Sequence, residues 1–334
     1  MNKEDLGKTS LEFLNVIENN SDFLLFTHSY PDGDGLGSIL AFYKMLKNIH
    51  KNVYAICSSE MPYQYKFLSN NENILKSLDD IDNSIKYISI FVDCGDIERI
   101  RIDYEEVMKK SEKIINIDHH LSNTYFGNIN IVFPEKSATC EIIYLLFEKF
   151  FNEKIDRDIA EALYTGILTD TGKFQYSNTT KEVHKIISNL LEYNINPSRI
   201  YSSIYESEPA NRFKLLAIVF KRSKILKNNN LIYSYTKIND FRKLNLSFSS
   251  NDGIIEILRT AKDVKVAALF KEVRKNNYKV SLRSSDESVN VAAIAEKFGG
   301  GGHKMASAYI ATGTLKKSVM ELDCAINNNF KEIC

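Results

Sequence analysis

The sequence predicts an α/β protein in two parts: a mostly parallel sheet flanked by helices in residues 1–191, and a smaller α/β domain in residues 213–334. Three observations predict it. In the first part, short apolar runs alternate with segments of helical periodicity, the pattern of strands joined by crossover helices. Three of those runs, FLLFT, YISIFV and KIINI, end in acidic or histidine residues. Over residues 192–212 the apolar periodicity weakens and Pro197 and Pro209 punctuate it, which places an interdomain connection there.

Taken in order, Ser10 to Asn19 reads as a short helix through Leu11, Leu14 and Val16. Phe23 to Thr27 is a buried strand. It ends in His28, then Pro31, Asp32 and Asp34, and helical spacing resumes at Leu36, Ile39, Leu40 and Tyr43. A histidine and two aspartates therefore sit where a strand hands over to a helix, the place where open α/β sheets bind ligands. Gly33, Gly35 and Gly37 suit a tight turn and close approach to a ligand. The bland reading is a polar turn with a helix N-cap, since Asp is common in both. Val53 to Cys57 is a second strand. Tyr87 to Val92 is a third, ending in Asp93-Cys94-Gly95-Asp96, and Lys113 to Ile117 a fourth, ending in Asp118-His119-His120. Ser137 to Phe150 is an amphipathic helix whose first turn suits Ser137 and Glu141. Arg157 to Thr169 is a helix running into Asp170, and Thr180 to Leu191 another. In the second part, strands are expected at Leu231–Ile238, Val264–Val273 and Tyr278–Arg283, the last two joined by a turn at Asn276-Asn277. Helices are expected at Gly253–Thr260 and Asn290–Phe298. Then come Gly299 to Gly302 and His303, a strand to Ile310 and a last helix from about Leu315.

Composition narrows the function classes. A chain of 334 residues with 44% hydrophobic residues can build two full cores. Lys plus Arg balances Asp plus Glu at 43 each, so no global attraction to long nucleic acid or to an anionic membrane is expected. A short nucleotide held in a local site is compatible with that balance. Cys57, Cys94, Cys140, Cys324 and Cys334 are scattered and form no C-x-x-C pair, which argues against a disulfide framework or a thiolate zinc site. The charged N-terminus has no apolar signal core, and no window approaches the ~18 apolar residues of a membrane span, so a soluble cytoplasmic protein is expected.

The hard ligands are His28, Asp32, Asp34, Asp93, His119 and Asp170, with Asp96, Asp118 and His120 nearby. Parallel strands would bring their carboxyl ends to one edge, and that convergence argues for a site. Imidazole and carboxylate without thiolate favour manganese or magnesium, zinc and iron being less easily excluded. Two metals about 3.5–4 Å apart need a bridging carboxylate and suit phosphoester hydrolysis. A ligating histidine usually donates its other ring nitrogen to a carboxylate, which Asp118 or Asp96 would supply. His120 is then left to contact the scissile phosphate or assist the leaving group. Asp170 ends a helix, where the dipole disfavours an acid, so a functional reason is the better one. Gly299-Gly300-Gly301-Gly302-His303 carries a high ordering entropy, which backbone N–H groups laid against an anion would offset. Arg283 is a candidate phosphate or carboxylate fork and reads equally well as a solvated strand-end arginine. His50 and His184 are assigned to surface or packing, and Cys94 to a small buried filler.

The motifs THSYPDGDGLGS, FVDCGD, NIDHH and LTDTGKFQYSN, in that order, resemble the four motifs of the DHH phosphoesterases. NVAAIAEKFGGGGHKMAS resembles the glycine-rich motif of their DHH-associated C-terminal domain. The likeness spans nearly the whole chain and is nearest to stand-alone oligoribonuclease/pAp-phosphatase proteins and soluble cyclic di-AMP/pApA phosphodiesterases. It implies a bilobal fold with the active site in the cleft and a centre of two manganese ions, magnesium or another divalent ion being the alternative. His28, Asp32 and Asp93 would hold one ion. Asp34, Asp93, His119 and Asp170 would hold the other, with Asp93 bridging. Asp118 would support the site, and His120 would face the substrate phosphate. Arg283, Gly300, Gly301, Gly302 and His303 would hold the far end of a mono- or dinucleotide. At Ala306-Ser307-Ala308 the chain departs from the family's usual Ala-Ala-Gly, which implies a slightly different substrate pocket.

The expected activity is hydrolysis of nanoRNA, pApA or cyclic di-AMP to 5′-mononucleotides, together with release of phosphate from pAp. An inorganic pyrophosphatase or polyphosphatase with the same centre is the alternative. A non-catalytic nucleotide-binding protein would be expected to lack ligands, and none is missing. The sequence leaves the choice among these substrates open, and a homodimer as well.

Overall fold

The structure, a computed structural model, describes residues 3–68, 74–207, 209–226, 230–251 and 253–332. The chain divides into two compact units, Met1–Ser207 and Glu208–Cys334. Cys334 lies outside the described residues.

The first unit opens with helix α1 (Lys3–Asn19), longer at its start than the apolar spacing suggests. Strand β1 (Asp22–Phe26) leads into α2 (Gly33–Asn48), followed by β2 (Asn52–Ile56) and the short β3 (Ile74–Leu75). Then come β4 (Tyr87–Val92), α3 (Tyr104–Lys110), β5 (Ser111–Asp118) and β6 (Ile129–Val132). Helices α4 (Thr139–Phe151), α5 (Arg157–Asp170), α6 (Lys181–Leu191) and α7 (Pro197–Tyr205) complete the unit. The six strands pair in parallel in the order β3-β2-β1-β4-β5-β6. Period-2 alternation splits each central strand between two cores. Phe23 and Leu25 face α2, α4 and α5, while Leu24 and Phe26 join Phe91, Tyr87 and Ile114 on the other side.

The strand order carries the site. From β1 the chain runs outward to β2 and β3, then returns to lay β4, β5 and β6 on the other side of β1. The order reverses between β1 and β4, and at such a switch point the loops at the strand ends diverge and leave a crevice for a ligand. Helices α2 and α5 meet closely under it. A Cβ on Gly37 would stand 2.4 Å from the backbone oxygen of Ala162, so only glycine allows that approach.

Part of the stretch read as a connection is helical. Asn196 caps α7 by accepting the Arg199 N–H, and Pro197 occupies its first turn, where a missing N–H costs nothing. Ile200 and Ile204, one turn apart, are buried in the first unit's core, and Arg199 donates to the buried Glu161 of α5 at 2.8 Å.

The second unit contains α8 (Ala210–Arg222), β7 (Lys224–Leu226), β8 (Leu231–Thr236), α9 (Ile238–Leu244) and α10 (Ile254–Arg259). It continues with β9 (Val266–Arg274), β10 (Asn277–Ser284), α11 (Val291–Glu296), β11 (Gly301–His303), β12 (Ala306–Thr312) and α12 (Leu315–Glu332). Its six strands form a mixed sheet, β11-β12-β10-β9-β8-β7, in which β8 and β9 are parallel and the other pairs antiparallel. The β9–β10 turn falls one residue earlier than expected, on Lys275-Asn276, because Asn276 takes the left-handed φ of 59° and Asn277 already pairs with Arg274.

Candidate metal centre

Each side chain of the cluster is placed by a strand end or a helix end. His28 follows β1, Asp93 follows β4, and Asp118, His119 and His120 close β5. Asp32 and Asp34 begin α2, and Asp170 ends α5. The structure brings them into two groups bridged by a third, Asp93, His119 and His120, which shares Asp93 with the first and His119 with the second. His28, Asp32 and Asp93 form the first, with His28 Nε2 at 3.4 Å from Asp93 Oδ2 and 3.9 Å from Asp32 Oδ1. Asp34, His119 and Asp170 form the second, with His119 Nε2 at 3.1 Å from Asp170 Oδ2 and 3.9 Å from Asp34 Oδ2. Asp93 turns its other oxygen, Oδ1, toward the second group, 3.8 Å from His119 Nε2. Its backbone is left-handed, φ 55°, a conformation that Asp tolerates better than most residues.

The bland reading of Asp32 also holds. Its Oδ1 accepts the N–H groups of Asp34 and Gly35, both at 3.1 Å, and caps α2. Asp34 is fully buried and caps a different helix. Helix α4 has Ala138 at its N-cap, with no side chain to accept its first N–H groups. Asp34 takes them instead, Oδ2 from Thr139 at 2.6 Å and Oδ1 from Cys140 at 2.9 Å. The Thr139 hydroxyl donates to Asp93 Oδ1 at 3.1 Å, tying α4 to the shared residue.

The second ring nitrogens differ from expectation. His119 Nδ1 faces the Lys136 carbonyl at 3.3 Å, and His28 Nδ1 the Ser29 carbonyl at 3.0 Å. Backbone oxygens, not Asp118 or Asp96, orient the two rings. Asp96 caps the turn that starts at Ile97, and Asp118 serves His120, whose Nδ1 lies 2.7 Å from Asp118 Oδ1. Asn123, which carries no signal in the sequence, holds Asp118 from the other side through Nδ2 to Oδ2 at 2.6 Å. Asn178 ties the end of α5 in place by donating to the Asp170 carbonyl at 3.1 Å.

The electrostatics ask for positive charge. Burial and the neighbouring carboxylates of Asp93 and Asp170 push Asp34 well above the usual range, and burial lifts Asp170 to about 6. Burial works against a charged His28, yet the facing carboxylates of Asp32 and Asp93 raise it to about 10. His119, likewise opposed by burial, is raised to about 10 by Asp170, Asp34 and Asp93. The two buried acids raised in this way, Asp34 and Asp170, hold protons more tightly than free carboxylates until a cation replaces them. The donor set, oxygen and imidazole nitrogen without sulfur, fits a divalent cation. So does a cradle beside Gly35. There a Cβ would stand 2.8 Å from Thr27 Oγ1, 3.2 Å from His28 Nε2 and 3.3 Å from Asp93 Oδ2, and the buried Thr27 hydroxyl has no hydrogen-bond partner among the described residues.

In the second unit, Arg283 meets a carboxylate of its own unit, Nε donating to Glu256 Oε1 at 2.9 Å. The N–H groups of Gly299 and Gly300 do not face an anion. They donate to Glu296 and Ala295 carbonyls, both at 3.0 Å, and close the end of α11. Gly301, Gly302 and His303 form the exposed edge strand β11 rather than a loop. Ser307, where the motif departs from the family, turns inward and donates to the Val291 carbonyl at 2.7 Å.

Asp118→Asn is expected to lower turnover about 10- to 100-fold while metal content stays near that of the parent, because the loss falls on the orientation of His120. Turnover measured beside bound metal per chain checks it; an equal loss of metal would move Asp118 into the ligand set.

A site of strand-end acids and histidines at the switch point of a parallel sheet, in a chain with a second mixed-sheet unit, defines a class. The chain matches the DHH family, N-terminal domain, over residues 22–167 and the DHHA1 domain over residues 228–332, together about three quarters of its length. It belongs to the DHH family. Among its relatives is the bifunctional oligoribonuclease and PAP phosphatase NrnA of Bacillus subtilis, 27% identical over 300 residues that span 89% of this chain and 91% of that protein. The protein of the same name from Thermus thermophilus is 28% identical, over 87% of this chain and 84% of its own. The crystal structure of an exopolyphosphatase-related protein from Bacteroides fragilis superposes with a TM-score of 0.89, at 27% identity, over 96% of each chain. Among the described residues no helix is long and apolar enough to cross a membrane.

Proposed function

We propose that the chain is a divalent-metal-dependent hydrolase that releases 5′-mononucleotides from very short RNA and pApA and removes the 3′-phosphate of pAp. The observation that carries this reading is Asp93, whose two oxygens face two separate donor groups. His28, Asp32 and Asp93 would hold one manganese ion, and Asp34, Asp93, His119 and Asp170 a second. Bound there, such ions supply charge neutralisation and a water nucleophile at neutral pH. The protein's own part is positional. His120, fixed through Nδ1 by Asp118, is raised in pKa by that bond and by Asp93 although burial opposes it. That contact favours the protonated ring. As water oxygen bonds to phosphorus and gives up a proton to solvent, the P–O3′ bond breaks and the His120 proton goes to the leaving oxygen. Arg283 and the exposed edge from Gly301 to His303 are the contacts proposed for the nucleotide in the second unit. The names of the Bacillus and Thermus relatives support the substrate class.

A polyphosphate or pyrophosphate hydrolase is the second reading, favoured by the name of the Bacteroides relative. One experiment separates the two. The protein is stripped with a chelator, reloaded with manganese, and assayed on pApA, a five-nucleotide RNA, cyclic di-AMP, pAp and pyrophosphate. The stripped protein is expected to be inactive, and the reloaded protein fast on pApA and short RNA, with cyclic di-AMP slow. Fast cyclic di-AMP cleavage would make it a signalling enzyme. Activity on pyrophosphate alone would overturn the nucleotide reading.

A further inference from the structure

Beside the centre, two residues hold left-handed backbone and touch each other. Tyr30 has φ 58° and Arg101 φ 54°, and the Arg101 guanidinium lies 5.1 Å from the centre of the Tyr30 ring. Such a conformation is an outlier for a bulky residue and persists only where its surroundings fix it. Here they do. The Tyr30 N–H donates to Ser59 Oγ at 2.7 Å. The Ser29 N–H and hydroxyl both donate to the Arg99 carbonyl at 2.8 Å. The Ser58 hydroxyl donates to the Ile100 carbonyl at 2.7 Å. Loops that follow β1, β2 and β4 are thus pinned to one another. What they present is a ring that is 70% exposed and contributes nothing to the core.

Its position gives the ring a use. Tyr30 is two residues from both His28 and Asp32, so its Cα lies within about 7 Å of each along the chain. In the strand order, Ser59 follows β2, which flanks β1 on the side away from β4 and β5. The Tyr30 N–H is held by the loop after β2, while its ring lies against Arg101 in the segment after β4, the strand that also delivers Asp93. We propose that Tyr30, backed by Arg101, is a stacking platform for a base of the nucleotide substrate, a subsite within the first unit that rests on the nucleotide reading above. Aromatic faces stack bases of any identity, and a guanidinium against the ring adds cationic attraction. The platform selects for the presence of a base, not for which base. A phosphate-only substrate gains nothing from it.

The test compares kcat/KM for pApA with that for the same dinucleotide lacking one adenine, at either position, in the parent and in Tyr30→Ala, Tyr30→Phe and Arg101→Ala. The parent is expected to prefer pApA about ten-fold or more over one of the two abasic substrates. Tyr30→Ala should erase that preference, mainly through KM. Tyr30→Phe should keep it, and Arg101→Ala should fall between. A preference unchanged in Tyr30→Ala, or a parent indifferent to both adenines, overturns the proposal. A parent that hydrolyses pyrophosphate and no nucleotide overturns the functional reading as well, so the two failures are distinguishable.

Discussion

Asp93→Asn is expected to cut turnover by more than about a hundred-fold, beyond the 10- to 100-fold that loss of a supporting partner costs. The reason is geometric. One carboxylate faces both donor groups, so a single neutral amide weakens two sites. The fold should survive, because asparagine accepts the left-handed φ of 55° as readily as aspartate. Metal per chain, turnover and melting temperature, measured on one preparation, check the three parts. Full turnover with metal bound would remove Asp93 from the mechanism.

Gly37→Ala is the second large effect, on stability. Inside a helix, alanine for glycine ordinarily gains about 1 kcal/mol. At this position the added methyl would meet the Ala162 backbone oxygen at 2.4 Å and the Cys140 sulfur at 3.0 Å. Overpacking costs about 1–3 kcal/mol or more, and a backbone carbonyl cannot step aside as a flexible side chain can. The clash wins, and a net loss of about 2 kcal/mol follows. For a unit of this size that lowers the melting temperature by roughly 4–8 °C. Because α2 begins beside Asp34 and α5 ends in Asp170, activity should fall further than the melting shift alone implies. A raised melting temperature would show that α2 and α5 separate without cost.

The parts legible in the sequence are those whose chemistry is local. YISIFV spans β4 to the residue, since all six side chains are buried and Asp93 and Cys94 mark the turn. The site residues were readable because strand ends of a parallel sheet share an edge, whatever the loops between them do. Strands β3 and β6 are not legible, being two and four residues long, too short for a period-2 pattern to stand out. Helix α7 was hidden behind two prolines, although Asn196-Pro197 is a sound helix start and Ile200 and Ile204 have helical spacing. The partners of the site residues depend on register and could not be read. Thr139 reaches Asp93 from a helix 46 residues away, and the carbonyl that orients His119 belongs to Lys136.

The capping of α4 by Asp34 bears on how this chain can change over evolutionary time. Asp32 is 59% exposed and, besides facing His28, caps only its own helix. A substitution there also removes a cap, but at an exposed side chain whose two N–H partners water can satisfy. Asp34 is different, since its loss would also strip a buried helix end of the acceptor for two N–H groups, at a cost of about 1 kcal/mol or more. A lineage released from selection for catalysis would therefore be expected to shed Asp32 well before Asp34, retaining an acid whose remaining duty is architectural.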